Sequence, residues 1–242
     1  MEPKTNVVLV HGAWADGSSW SKVIPLLQDK GFNVTAAQLP LTSLDDDIAV
    51  TRNLLAAQKG PTVLVGHSYG GIVVSGAAND APNVTALVYI AAFGLDEGES
   101  IEGLSKQGPA PAGAAQIRPD DHGFLWIDRD GFAQAFAADA DPVEARVMAA
   151  TQKPLSVKSF VAKSGPPAWK HIKSWYLVST NDQMIPPQAE ELMAKRMCAT
   201  VRSVSASHAS MVSHPKEVAD IITLAAESGE IGSNGRDNKW RK

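Results

Sequence analysis

Ser68 sits in Val65-Gly66-His67-Ser68-Tyr69-Gly70-Gly71, a hydroxyl flanked by glycines between two apolar runs, Thr62–Val65 and Ile72–Val74. The pattern is G-x-S-x-G with a strand-like run before it and a helix-like run after it. In that setting a serine stands on a sharp turn and its oxygen projects above a strand end. Gly66 and Gly70 are expected because side chains two residues either side of the serine would collide across the turn. With glycine and serine each near 7% of residues, the bare pattern arises by chance in roughly one chain in ten of this length. Its placement between the two runs gives it weight.

A serine hydroxyl becomes a nucleophile only when a base removes its proton. On folds that carry this motif the chain order is serine, acid, histidine. Asp182, in STNDQMIPP, follows the apolar run Trp175–Ser179, and His208, in SASHASMVSHP, follows Val201–Val204. His208 would take and return the proton; Asp182 would fix its tautomer and stabilise the imidazolium. Taken alone, Asp182 reads equally well as a turn cap before Pro186-Pro187. Asp96 is the rival acid. His214 is the rival base, although the proline after it suits helix entry better. His122 and His171 read as loop residues, and His67 is assigned no chemistry. No two histidines have metal-ligand spacing, so neither a metal nor another cofactor is expected.

Negative charge on a tetrahedral intermediate needs preorganised N–H donors. One would be the N–H of Tyr69, directly after the serine. The other would be that of Ala13, in the loop LVHGAWADG after Val7–Val10. The competing reading of Gly12…Gly17-Ser18 as a phosphate loop fails for want of a lysine before Ser18.

These residues need a scaffold. The runs Val7–Val10, Val34–Ala37, Val63–Val65, Ala86–Ala91, Trp175–Ser179 and Val201–Val204 are almost continuously apolar, the pattern of strands covered on both faces. Helical segments are expected at Trp20–Lys30, with Pro25 absorbed near its first turn, and at Leu44–Lys59. Ser43 would cap the second, and Asp45, Asp46 and Asp47 read as a solvated acidic first turn. Strand and helix alternating in this way define an α/β fold with a doubly wound, mostly parallel sheet. The rhythm breaks at 94–168, rich in Gly, Pro and Ala, with helices expected at Gly131–Ala138 and Pro142–Thr151. That stretch reads as a helical cap insertion in a core made of 1–93 and 169–228. A helix is expected at Glu217–Ala226, and the tail 229–242 reads as disordered.

The chain has 242 residues, 44% hydrophobic and 20% charged, with a formal net charge of −4. That suits one sizeable core. Without a basic cluster before the final residues, nucleic acid and anionic membrane are poor partners. No run approaches the roughly 18–20 apolar residues of a membrane span, and no signal peptide is visible. Cys198 is the only cysteine, compatible with a reducing compartment. The expectation is a soluble, cytoplasmic protein, compatible with a homodimer.

With these residues in hand, the chain strongly resembles the α/β-hydrolase family. Within it the resemblance is to small bacterial esterases related to plant methyl esterases and hydroxynitrile lyases. The matching pieces are VLVHGAW with Trp20 and Pro25-Leu26-Leu27 after it, VGHSYGG, ALVYIAAF, STNDQMIPP and SHASMVSHP. They cover about two thirds of the chain and leave 94–168 unmatched. The resemblance implies the triad Ser68, Asp182 and His208, oxyanion donors at Ala13 and Tyr69, and a cap that sets substrate choice. In the lyases of that branch a threonine follows the first histidine and a lysine follows the catalytic one. Here those positions hold Gly12 and Ala209, which favours ester hydrolysis. An aspartate in place of Ser68, as a haloalkane dehalogenase would need, is absent.

The expected function is therefore a serine hydrolase that cleaves a small carboxylic ester through an acyl-enzyme. The alternatives are a cofactor-free lyase, lactonase or perhydrolase on the same triad, or a ligand receptor that keeps the pocket with residual turnover. Phe93, Phe124, Phe132, Phe136, Phe160 and Trp126 fall in 93–160 and could roof an apolar ester or simply hold the insertion together. Gly12, Trp14, Trp126 and Met184 are the candidate substrate contacts.

Overall fold

The computed structural model describes residues 4–234. The elements begin with β1 (Asn6–Val10), α1 (Val23–Asp29), β2 (Asn33–Ala36), α2 (Leu44–Ala57), β3 (Thr62–His67), α3 (Gly70–Ala77) and β4 (Val84–Ile90). There follow α4 (Ile101–Ser105), β5 (Ile117–Pro119), β6 (Phe124–Ile127), α5 (Phe132–Phe136), α6 (Pro142–Thr151), β7 (Leu155–Ser156) and α7 (Val157–Val161). The chain then runs through β8 (Ser174–Ser179), α8 (Pro187–Arg196), β9 (Thr200–Val204), α9 (Ser210–Ser213) and α10 (Pro215–Asn234).

Six strands form one wholly parallel sheet in the order β2-β1-β3-β4-β8-β9. The order reverses between β1 and β3, so loops from both halves converge at the carboxyl ends of the central strands, where open α/β sheets bind ligands. The inner strands β1, β3, β4 and β8 are buried almost throughout, as their unbroken apolar runs require. The two edge strands depart from that expectation. β2 is exposed to half-buried, and four of the five residues of β9 face solvent. An edge strand has a neighbour on one side only, and the apolar Val34 and Val201 do not distinguish it from an inner one.

Local chemistry explains the helix starts. Trp20 belongs to a 3-10 turn, Gly17–Trp20, and α1 starts only at Val23. Pro25 then falls in the first turn, where its missing N–H would have had no partner anyway. Ser43 Oγ accepts from the Asp46 N–H at 3.1 Å and caps α2, and the Asp141 carboxylate accepts from the N–H groups of Val143 and Glu144 to cap α6. The last helix runs to Asn234, well past the expected end at Ala226. Each added residue of a nucleated helix needs only its own hydrogen bond. Of the tail 229–242, the helix takes 229–234, and 235–242 lie outside the described residues.

The segment between β4 and β8 is not purely helical, contrary to the reading from sequence. Besides α4–α7 it holds a three-stranded antiparallel sheet, β5-β6-β7. Strands of two to four residues are too short to show a period-two pattern. Backbone hydrogen bonds tie the segment to the core loops: Trp14 N–H to Lys153 O at 2.9 Å, Gly113 N–H to Gln183 O at 2.7 Å, and Ala209 N–H to Phe136 O at 3.0 Å.

Candidate active site

Strand β3 ends at His67, and Ser68 turns the chain into α3 with φ of +53°. For a residue with a Cβ this left-handed conformation is uncommon and strained. Surrounding bonds hold it: Ser68 O accepts from the Gly71 N–H at 3.0 Å and the Phe93 N–H at 3.1 Å. The turn is tight enough that a methyl group on Gly66 would stand 2.7 Å from Gly70 O. The expected collision across the serine is thus the reason for that glycine.

Asp182, three residues past β8, and His208, four past β9, meet at the same end of the sheet. Both are buried, and His208 Nδ1–H donates to Asp182 Oδ2 at 2.6 Å. The other carboxylate oxygen, Oδ1, accepts from the N–H groups of Met184 at 2.6 Å and Ile185 at 3.0 Å. With its proton on Nδ1, the imidazole has a lone pair on Nε2, and that atom is buried without a hydrogen-bond partner. The neighbour of Ser68, His67, donates Nε2–H to His208 O at 2.9 Å, and the two rings lie 4.7 Å apart. The Ser68 hydroxyl makes no hydrogen bond to Nε2 in this structure. Free enzymes often leave this link long and tighten it when substrate binds. The rivals point elsewhere: Asp96 pairs with Lys170 at the surface and His214 with Asp139.

The N–H groups of Ala13, next to Gly12, and of Tyr69, next to Ser68, have no acceptor among the described residues. Gly12 brings the first into place, since a methyl group there would stand 2.6 Å from Ser68 Cβ. The structure shows a close backbone approach at Gly12. The other candidate contacts are also engaged. Trp14 Nε1–H donates to Leu125 O at 2.8 Å, and its ring stands edge-on to Phe136. Phe136 in turn packs edge-on against His208 at 4.9 Å. Met184 Sδ lies against Gly113. Trp126 does not join this group: its indole N–H donates to Asp120 Oδ2 at 2.9 Å, within the small antiparallel sheet. A cleft of about 190 Å³ opens beyond Trp14 and is spanned by the Lys22–Glu144 ion pair.

Burial sets the other titrating groups. His11 is lowered to about 4 chiefly by desolvation. Its Nδ1–H donates to Gly12 O and its Nε2 accepts from the Leu39 N–H, so it is a neutral brace for the loop after β1. Burial likewise drives His67 well below the usual histidine range.

Asp47 overturns the reading of the acidic run as a solvated first turn. It is fully buried, and accepts from Tyr69 OH at 2.6 Å and from the Leu41 N–H at 2.8 Å. It thereby anchors the side chain of the residue directly after Ser68. The signal was in the spacing: Leu44, Asp47, Thr51 and Leu55 share the buried stripe of α2, at helical period. Burial lifts Asp47 from 3.8 to about 6, against the pull of its two donors. With the folded value above the unfolded one, its favourable contribution is complete below 3.8 and lost as pH rises through about 6. The difference amounts to at most about 3 kcal/mol. Chemical denaturation of the parent chain and Asp47→Asn should therefore show the parent losing ground to the variant from about pH 4 to about pH 7. A stability difference independent of pH would contradict the shift.

Among the described residues no group of three or more His, Cys, Asp or Glu side chains is placed to hold a metal ion. No helix among them is long and apolar enough to cross a membrane.

A parallel sheet reversing at its centre, with a strained serine turn and a buried histidine–carboxylate pair at its carboxyl edge, defines the α/β hydrolases. The chain belongs to that family: the model for the alpha/beta hydrolase family matches residues 7–221. A pyrethroid hydrolase from Sphingobium wenxiniae is 27% identical, over 93% of this chain and 88% of that protein. An alpha-hydroxynitrile lyase and methylesterase 2, both of Arabidopsis thaliana, are 33% and 32% identical, over 38% and 37% of this chain and 42% and 40% of those proteins. Among solved structures, a pyrethroid hydrolase from Sphingobium faniae superposes with a TM-score of 0.80 at 24% identity, covering 95% of this chain and 99% of that one. At that identity the superposition speaks for the fold alone.

Proposed function

We propose that the protein hydrolyses carboxylic esters with Ser68 as nucleophile, His208 as base and acid, and Asp182 as the group that orients the imidazole. The observation that carries this reading is the buried 2.6 Å contact from His208 Nδ1–H to Asp182, which leaves the Nε2 lone pair free beside the serine turn. In the reaction Ser68 Oγ bonds to the ester carbonyl carbon while its proton passes to Nε2. The N–H groups of Ala13 and Tyr69 receive the negative oxygen. Collapse breaks the bond to the alkoxy group, which leaves as the alcohol with the proton from Nε2. A water molecule then gives a proton to Nε2 and attacks the acyl carbon, and Ser68 recovers its proton as the acid departs.

The names of the relatives, pyrethroid hydrolase, carbendazim hydrolyzing esterase and methylesterase, support ester cleavage. Two features disfavour the lyase reading. Gly12 has no room for a side chain against Ser68, and Ala209 is buried with its N–H on Phe136 O, a poor place for a charged amine. Ser68 is only 3% exposed, and Phe136, from the 94–168 segment, packs edge-on against His208. That gives the segment its part in choosing substrate.

A fluorophosphonate probe should label the chain once, at Ser68, and p-nitrophenyl acetate should give a burst of about one p-nitrophenol per chain before steady turnover. Labelling elsewhere, or a burst without turnover on methyl, aryl and short-chain acyl esters, would count against an esterase; the second result would favour a receptor.

A further inference from the structure

Glu190 lies in the first turn of α8, where an acidic side chain ordinarily faces water, yet it is fully buried. Its Oε2 accepts from the Ser179 N–H at 3.1 Å, at the end of β8. Its Oε1 is buried with no partner within hydrogen-bonding distance. The carboxyl lies beside that of Asp182, close enough for the two side chains to interact. Nothing in the ester mechanism uses it.

Two neighbouring carboxyl groups out of water cannot both ionise cheaply. One must yield, and the hydrogen bonds show which. Asp182 accepts three donors, the N–H groups of Met184 and Ile185 and Nδ1–H of His208. Glu190 accepts one. Burial first, and the charge of Asp182 second, push Glu190 well above the usual carboxylate range. A protonated carboxylic acid has one O–H to give, and an ionised carboxylate has about four sites for accepting. Three of the sites on Asp182 are filled. One remains.

We propose that Glu190 is a positioning residue: a neutral carboxylic acid that directs its O–H to the last open site of Asp182 and so clamps the acid of the triad from behind. The idea rests on the triad reading above. A fourth donor restrains rotation of the Asp182 carboxylate. The titratable groups whose charge bears on Glu190 are Asp182, from the loop after β8, and Glu191, from its own helix; the Tyr176 hydroxyl of β8 feels the charge of Glu190 in turn. The Tyr176 hydroxyl donates to Ala92 O, so it does not compete for the open site.

The test compares Glu190→Gln with Glu190→Leu. The amide can accept from Ser179 and still donate N–H to Asp182; leucine does neither. On p-nitrophenyl acetate, Gln should keep kcat within about threefold of the parent, and Leu should lose about 10- to 100-fold in kcat with KM little changed. Infrared difference spectra at mildly alkaline pH, where Asp47 with its value of about 6 is ionised, should show a protonated-carboxyl C=O band in the parent that Glu190→Gln removes. If Leu fails to fold, Gln and the band still decide. No band difference, Gln as damaging as Leu, or Leu with the parent's kcat would overturn the proposal. Ser68→Ala with undiminished turnover would instead sink the triad reading, whatever the infrared band shows.

Discussion

Ser68→Ala is expected to turn over p-nitrophenyl acetate about 10⁴-fold or more slowly than the parent chain while folding as well as the parent. Removing the nucleophile of a serine triad costs as much as removing the whole unit, because base and acid have nothing left to activate. Binding and the two N–H donors survive, so a residual rate above the uncatalysed one should persist. The fold should scarcely notice. Alanine and serine face the same steric cost at φ of +53°, and the lost hydroxyl makes no hydrogen bond among the described residues. A stability change within about 1 kcal/mol is therefore expected in denaturant melts. Loss of activity together with loss of structure would leave only a folding role for Ser68. Undiminished turnover by a folded variant would remove the ester-hydrolase reading outright.

The parts of the fold legible in the sequence are those where burial on both faces writes a continuous apolar run. Val7–Val10, Val63–Val65 and Ala86–Ala91 all became inner strands, and the glycine-flanked Ser68 fell at the junction where strand meets helix. What stayed hidden is what depends on the third dimension. Val201 and Val34 look like inner-strand residues, and only the final order of strands places them at the edges. The sheet β5-β6-β7 pairs Leu155 with Leu125 across thirty residues, a register no local pattern encodes.

The candidate site divides in the same way. Asp182 and His208 were legible because chain order on this motif narrows the search to loops after two late strands. Asp47 and Glu190 were not, because an acidic residue in a first helical turn has an ordinary explanation in the helix dipole. Each nevertheless sits at helical spacing from buried apolar neighbours, Glu190 from Met193 and Ala194, and Asp47 from Leu44 and Leu55. A charge on the apolar stripe is the signal that separates a buried carboxyl from a solvated cap. Trp126 shows that local partners stay hidden too: the pairing of its indole N–H with Asp120, six residues away, has no signature in the sequence.

That dependence on the orientation of one carboxylate yields the second large effect. Asp182→Asn should lower kcat by about 10⁴-fold with the fold intact, equivalent to about 5.4 kcal/mol of lost transition-state stabilisation. Asparagine is nearly isosteric, but its amide can sit only one way round. The N–H groups of Met184 and Ile185 converge on the Oδ1 position, so the amide oxygen must lie there and the NH₂ must replace Oδ2. That NH₂ then meets Nδ1 of His208 across the 2.6 Å gap, donor against donor. The imidazole escapes by moving its proton to Nε2, and an Nε2 that already carries a proton cannot accept one from Ser68. Chemistry should fail with KM nearly unchanged, and fluorophosphonate labelling of Ser68 should slow in parallel, because both need the same proton transfer. A variant within tenfold of the parent in kcat would mean that the tautomer of His208 does not govern the reaction, and the part assigned to Asp182 would fall with it.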